Sequence, residues 1–201
     1  MERKGKATIL YLAQLGLLLA VVVVLQYIGN FIPVVAGINL TLIPIVVGAA
    51  LLGPTGGLIL GLACGLMTLF TPMAQGIMSY SPLMALLICF GKTGLAGFAA
   101  GWFYRWIAKK NRHIGIITAS VATPIINTGL FVLGCSLLVD YFIGNPDAGF
   151  GTVAAGTSVG AFMGMICVMI APNFIIEFLA NAIASTAIYQ VVKVVEKRIK
   201  K

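Results

Sequence analysis

The sequence predicts an all-α polytopic membrane protein that forms a single membrane domain over residues 1–201. Three numbers indicate this: 60% of the residues are hydrophobic, only 9% are charged, and the mean hydropathy is +1.07. A soluble domain needs far more polar surface, with about 25% charged residues. The apolar runs are continuous and lack the short alternating pattern of membrane β-barrels, so membrane-spanning helices are favoured.

The basic residues indicate which ends of the spans face the cytoplasm. Every Lys and Arg except Lys92 falls into one of three clusters, at 3–6, 105–112 and 193–201, and each cluster adjoins an apolar run. The positive-inside rule therefore predicts that both termini and the middle cluster are cytoplasmic. The same placement argues against nucleic-acid binding, although the net charge is +8.

Seven apolar runs can be located between these clusters. They cover about 7–29, 40–52, 57–71, 83–104, 114–139, 152–171 and 174–192. An even number of crossings must separate two cytoplasmic clusters, so one of the last three runs does not cross. The run at 152–171 has glycines at four-residue spacing and ends before Pro172. We therefore predict six transmembrane helices and an extra outer-leaflet or re-entrant segment near 152–171, covered by protein.

The second and third spans are short for a hydrocarbon layer of about 30 Å. They are joined by the uncharged turn Gly53-Pro54-Thr55-Gly56-Gly57. Short spans interrupted by Gly and Pro favour a nearby binding region, and a tilted or locally thinned bilayer is the alternative. Small residues at helical spacing predict close helix packing. They include Gly57, Gly61 and Gly65, and Gly97 with Gly101.

The sequence offers little that predicts catalysis. The four cysteines lie in apolar runs without a CxxC pair, so neither a disulfide framework nor a metal site is expected. Gly91-Lys92-Thr93 is like the end of a Walker A motif, but the earlier glycine is missing and the tripeptide lies inside a span. With only five acidic residues in the chain, we expect no enzyme and no cofactor.

Two ionisable residues, Lys92 and Glu177, lie at membrane depth. Charges there are costly and are candidates for function, although the two could instead pair with each other as a structural feature. Asn173, Glu177 and Asn181 recur every four residues and so line one stripe of a helix. Such a stripe could face a wet ligand pocket or form hydrogen bonds between helices.

Several segments are similar to a known family. They are Ile38-Asn39-Leu40-Thr41-Leu42-Ile43-Pro44, Gly53-Pro54-x-x-Gly57, Thr123-Pro124-x-x-Asn127-Thr128-Gly129 and Asn173-x-x-x-Glu177. Together with six short spans in about 200 residues, they resemble the substrate-binding S component of energy-coupling factor (ECF) vitamin transporters. The resemblance covers nearly the whole chain.

This resemblance implies a high-affinity binding subunit for a water-soluble vitamin in a bacterial or archaeal cell membrane. Its partners would be an ECF transmembrane scaffold subunit and two ATPase subunits. The implied substrate-binding residues are Asn39, Gln75, Lys92, Asn127, Asn173, Glu177 and Asn181. The implied scaffold-docking face on the first helix is formed by Ala13, Gly16 and Ala20.

The identity of the ligand stays open at this point. Lys92 would suit the carboxylate of pantothenate, whereas Glu177 would oppose it. Riboflavin would need aromatic stacking partners, which the outer loops could supply. The alternative function is a self-sufficient small-molecule transporter that is coupled to ions through Lys92 and Glu177.

Overall fold

The computed structural model describes residues 2–30, 39–143, 145 and 153–199, and this part of the chain is almost entirely helical. The helices are α1 (Glu2–Asn30), α2 (Leu42–Thr68), α3 (Pro72–Tyr80), α4 (Pro82–Ile107), α5 (Arg112–Ser136), α6 (Val139–Phe142) and α7 (Val159–Ile199). Five of them, α1, α2, α4, α5 and α7, are long and apolar enough to cross a membrane. The prediction of a polytopic α-helical membrane protein is confirmed. Ile38 and residue 152 of the predicted segments lie outside the described residues.

Helix α2 folds back on itself at Gly53. This glycine has φ 82° and ψ −172°, a backbone conformation that side chains other than glycine rarely tolerate. The two limbs, 42–52 and 54–68, then run side by side in opposite directions: the Thr41 hydroxyl lies 3.1 Å from the Cys64 sulfur, although 23 residues separate them. The predicted turn at Gly53 is confirmed. Whether each limb crosses the bilayer, and hence whether there are six crossings, stays a prediction, as does the side on which the termini lie.

The second limb of α2 packs on α4 through bare backbone. A Cβ atom at Gly57 would collide with the Gly97 carbonyl, and one at Gly61 with the Thr93 carbonyl. At Gly65 it would lie 2.6 Å from the Cys89 carbonyl oxygen. Because glycine has no side chain, the two helix backbones can approach closely and gain van der Waals contact. Such contact is the main attraction between helices in lipid. These glycines pack inside the molecule, as the sequence predicts.

Helix α7 corrects the prediction for the run at 152–171. The helix is continuous over 41 residues and contains Pro172, so the prediction that the run ends before this proline is wrong. Proline removes one backbone hydrogen bond, and helices in membranes tolerate that loss when neighbouring groups satisfy the freed carbonyl. At a rise of ~1.5 Å per residue α7 is about 60 Å long, more than the full thickness of a bilayer. The residues from Val159 onward therefore continue the last helix, without forming a separate segment.

Two apolar clusters hold the helices together at opposite ends of the molecule. The basic-end cluster, beside Arg105 and Lys193, consists of Val46, Ala49, Ala50, Ala100, Tyr104, Ile116, Ala119, Ile188 and Val192. The far-end cluster consists of Ile77, Ala85, Ile88, Val132, Cys135, Leu138, Phe142, Val153, Phe162 and Ile166. Both draw on α4, α5 and α7, so each of these helices passes from one cluster to the other.

Helix α1 is attached along one narrow face. Its buried residues Leu15 and Val22 pack against both limbs of α2, while most of its other side chains face outward. Because all four cysteines lie in apolar runs, the sequence predicts that they are small buried residues. This is confirmed for Cys64, Cys89 and Cys135, whereas it is wrong for Cys167, which is exposed on α7. All four are free thiols.

Candidate ligand-binding site

A layer of polar side chains lies between the two apolar clusters. On α4, α5 and α7 alike, the residues between the far-end and the basic-end cluster include polar ones that point inward. We call this set the polar layer. Its members are Gln26, Asn39, Thr41, Cys64, Lys92, Asn127, Glu177 and Asn181. Because the helices run antiparallel, residues far apart in sequence reach the same depth.

Glu177 is the centre of the polar layer. Its side chain is only 6% exposed, and its Oε1 atom accepts a hydrogen bond of 2.9 Å from the backbone N–H of Asn39. This bond joins α7 to the segment that enters α2, across 138 positions of sequence. A buried carboxylate needs hydrogen-bond donors or a cation to offset the loss of water. One backbone donor satisfies only part of its capacity, since a carboxylate has about four acceptor sites.

The polar stripe on α7 continues on both sides of Glu177. Asn181, 1% exposed, donates from Nδ2 to the backbone carbonyl of Glu177 at 2.9 Å. Ser185 is buried one turn further, and half-buried Asn173 lies one turn before. The predicted inward stripe is therefore present in the fold.

Lys92 reaches the same depth from α4. Its Nζ atom lies 4.6 Å from the centroid of the Phe131 ring of α5, a distance typical of a cation–π interaction. The ammonium thus has an aromatic partner, and the structure shows no direct ion pair between it and Glu177 among the described contacts.

Two buried amide oxygens in this layer have no hydrogen-bond donor among the residues that the structure describes. They are Oδ1 of Asn127 and Oδ1 of Asn181. Nearer the basic end, Oγ of Ser120 is also buried without a hydrogen-bond partner among the described residues. Buried polar atoms in folded proteins almost always have partners, so each such atom calls for an explanation. With the open acceptor sites of Glu177, they form a buried set that favours a molecule rich in N–H or O–H donors.

The entry to α2 adds polar groups that the sequence did not single out as site residues. Thr41 bonds to the Asn39 side chain and lies 3.1 Å from the Cys64 sulfur, and the Cys64 thiol in turn donates to Oε1 of Gln26 at 3.6 Å. Gln26 is half-buried on α1. A Gln in an apolar run such as 7–29 is the signal that could have pointed to it, since polar residues in a span avoid lipid, although Gln14 in the same run gives the same signal.

Gln75, also predicted as a site residue, lies apart from the polar layer. It is exposed on α3, and its Nε2 donates to the Leu69 carbonyl at 2.6 Å, which ties the corner between α2 and α3. The structure thus brings together Asn39, Lys92, Asn127, Glu177 and Asn181, with Asn173 at the edge. Their role in ligand binding stays a prediction.

The predicted docking residues lie on the outward face of α1. Ala13, Gly16 and Ala20 are all exposed, and a Cβ atom at Gly16 would meet nothing within 4 Å. This flat face is not used in packing within the described chain.

A family model described as Thiamine transporter protein (Thia_YuaJ) matches residues 12–138. The match covers well over half of the chain, from α1 through α5. It includes Asn39, Lys92 and Asn127 of the polar layer and ends before α7. No curated protein and no solved structure matches the chain.

Proposed function

Because the chain belongs to the thiamine transporter protein family, we propose that it is the thiamine-binding S component of an ECF vitamin importer. Vitamin transport and a location in the membrane follow from the family and the apolar helices. The finer parts of the proposal are the ligand, the residues that bind it and the partner subunits.

The composition of the polar layer supports thiamine. Thiamine carries a permanently positive thiazolium ring, an aminopyrimidine N–H₂ group and a hydroxyl group. The layer offers the carboxylate of Glu177 and the unpartnered oxygens of Asn127 and Asn181, which are acceptors for such donors. This buried set of acceptors is the observation on which the ligand proposal rests. Charge-assisted hydrogen bonds to a buried carboxylate are also the strong ones.

Lys92 is the group that favours a different vitamin. Its ammonium suits the carboxylate of pantothenate. Riboflavin is a second competitor for a different reason, since its ring would need flat aromatic partners to stack on. In the structure Lys92 lies over Phe131, so the ring offsets part of its charge. We therefore rank thiamine first and keep pantothenate and riboflavin as competitors in the test.

The partner subunits are proposed from the docking face. In an ECF importer the S component has no ATPase activity of its own and docks on a scaffold subunit that is coupled to two ATPases. The exposed small residues Ala13, Gly16 and Ala20 would admit a close helix neighbour at that place. In this proposal the chain crosses a bacterial or archaeal cell membrane six times, with both termini in the cytoplasm.

The test measures ligand binding by the purified chain. Thiamine, pantothenate and riboflavin are added separately, and the melting temperature and the heat of binding are recorded, since a ligand that binds only the folded state raises the melting temperature. We expect thiamine alone to bind tightly. A response to pantothenate or riboflavin without one to thiamine would contradict the ligand proposal.

A self-sufficient transporter is the competing function, and the presence of Lys92 and Glu177 inside apolar helices favours it. Uptake into liposomes separates the two. The chain alone should bind thiamine without accumulating it, and ATP-driven accumulation should require the scaffold and ATPase subunits. Accumulation by the chain alone under an ion gradient would support the ion-coupled alternative.

A further inference from the structure

The last turns of α4 expose both tryptophans of the chain. Trp102 and Trp106 are 53% and 63% exposed, and their rings stack with centroids 5.9 Å apart. Tryptophan prefers the boundary between the hydrocarbon and the headgroups, where the ring is apolar and its N–H can reach a polar partner. The pair therefore marks the depth at which α4 leaves the hydrocarbon.

Two lysines follow this pair directly. Lys109 and Lys110 are exposed in the turn between α4 and α5, one turn beyond Trp106. The acidic side chains that the structure describes, Asp140 and Glu177, belong to α6 and to the polar layer, far from this turn. Among the described residues, no carboxylate therefore lies beside these two ammonium groups.

Arg105 has a separate role in the same region. Its guanidinium lies directly against Gly53, at the fold-back of α2. It is directed at the fold-back of α2, although its side chain stays exposed, whereas the two tryptophans stack on each other. The outward surface consists of stacked indoles followed by exposed lysines.

We propose that Trp102, Trp106, Lys109 and Lys110 form a binding site for an anionic phospholipid. The indoles pack on the glycerol and upper acyl chain, and the ammonium groups hold the phosphate. A phospholipid presents apolar and anionic groups in this order along the membrane normal, and the helix presents their partners in the same order. An anionic lipid is selected over a zwitterionic one because the site has positive charge without a described carboxylate.

The two tryptophans allow a direct test, since the chain has no others to add background fluorescence. The full-length protein is reconstituted into vesicles of phosphatidylcholine with a minor fraction of phosphatidylglycerol. In one preparation the phosphatidylglycerol has brominated acyl chains. In the other, an equal amount of the phosphatidylcholine is brominated instead. Since the lipid composition is the same, stronger quenching by brominated phosphatidylglycerol reports its enrichment at the tryptophans.

We expect this stronger quenching in the wild type and its loss in the double variant Lys109→Gln/Lys110→Gln. Each basic residue near an anionic surface contributes a factor of about five to binding. The matched control is Lys193→Gln/Lys197→Gln, which removes the same charge from exposed positions on α7 and should keep the preference. High salt should reduce the preference in the wild type.

Three results would overturn the proposal. One is equal quenching by both brominated lipids in the wild type. Another is an equal loss of preference in both double variants, which would indicate diffuse attraction to the whole basic end. The third is a Lys109→Gln/Lys110→Gln variant that keeps its lipid preference but no longer assembles with the ECF subunits, which would make this surface a protein interface.

Discussion

Replacing Glu177 by Gln tests the polar layer most directly. The substitution keeps the shape of the side chain, and the Gln amide oxygen can still accept the hydrogen bond from the backbone N–H of Asn39. What disappears is the negative charge. The variant should fold and insert normally, since removing a buried charge also removes the cost of burying it.

The size of the effect follows from the two kinds of hydrogen bond. A bond to a charged group contributes about 1.5–3 kcal/mol, and a neutral one about 0.5–1.5 kcal/mol. The loss is therefore about 1–1.5 kcal/mol, and the Kd for thiamine should rise roughly 5- to 13-fold. Titration calorimetry on the purified variant measures this change.

An analogue without the amino group sharpens the test. If the N–H₂ group of the aminopyrimidine is replaced by hydrogen, the donor for the carboxylate is lost, and Glu177→Gln should then weaken binding much less than it does for thiamine itself. The control is Asp140→Asn, which removes a negative charge from an exposed position at the far end and should change neither affinity. Equal losses for thiamine and for the analogue without the amino group, or an equal loss in Asp140→Asn, would refute the reasoning.

Three further predictions concern other parts of the molecule. Asn181→Leu removes a buried amide oxygen that is available to accept from the ligand, and it should weaken thiamine binding by about tenfold or more. Calorimetry measures this change, and an unchanged affinity would place the site elsewhere. Gly57→Ala should lower the melting temperature, at a cost of about 1–3 kcal/mol, because its Cβ would meet the Gly97 carbonyl. Gly16→Leu should leave binding intact and impair uptake by the assembled importer; normal uptake would disprove the docking face. Gly160→Leu is the control for both glycine variants, since Gly160 is exposed with nothing within 4 Å of its Cβ position.

Composition and spacing were sufficient to predict a polytopic helical membrane protein and some of its local features. The reversal at Gly53 could be predicted because the turn Gly53-Pro54-Thr55-Gly56-Gly57 separates two short apolar runs, and the structure confirms it. The close packing of Gly57 and Gly61 on α4 could be predicted because small residues at four-residue spacing serve little other purpose in lipid. The inward direction of Glu177 followed from the cost of a charge in hydrocarbon.

Other features depend on contacts that leave no pattern in the sequence. The bond from Asn39 to Glu177 uses a backbone N–H, which every residue except proline has. Lys92 lies over Phe131, one of the 11 phenylalanines that could have been its partner. Pro172 remains inside α7 because tertiary contacts at both ends hold that helix in place, whereas local propensity alone favours a break.

The contact between α2 and α4 also limits how this protein can move. Where two helices meet through side chains, they can slide by exchanging rotamers. Gly57, Gly61 and Gly65 instead press main chain against main chain, so a small displacement would bring atoms into collision with nothing able to swing aside. The two limbs of α2 and α4 must therefore move together as one rigid unit. A rearrangement that releases a bound ligand has to take place in the other helices or reorient this unit as a whole.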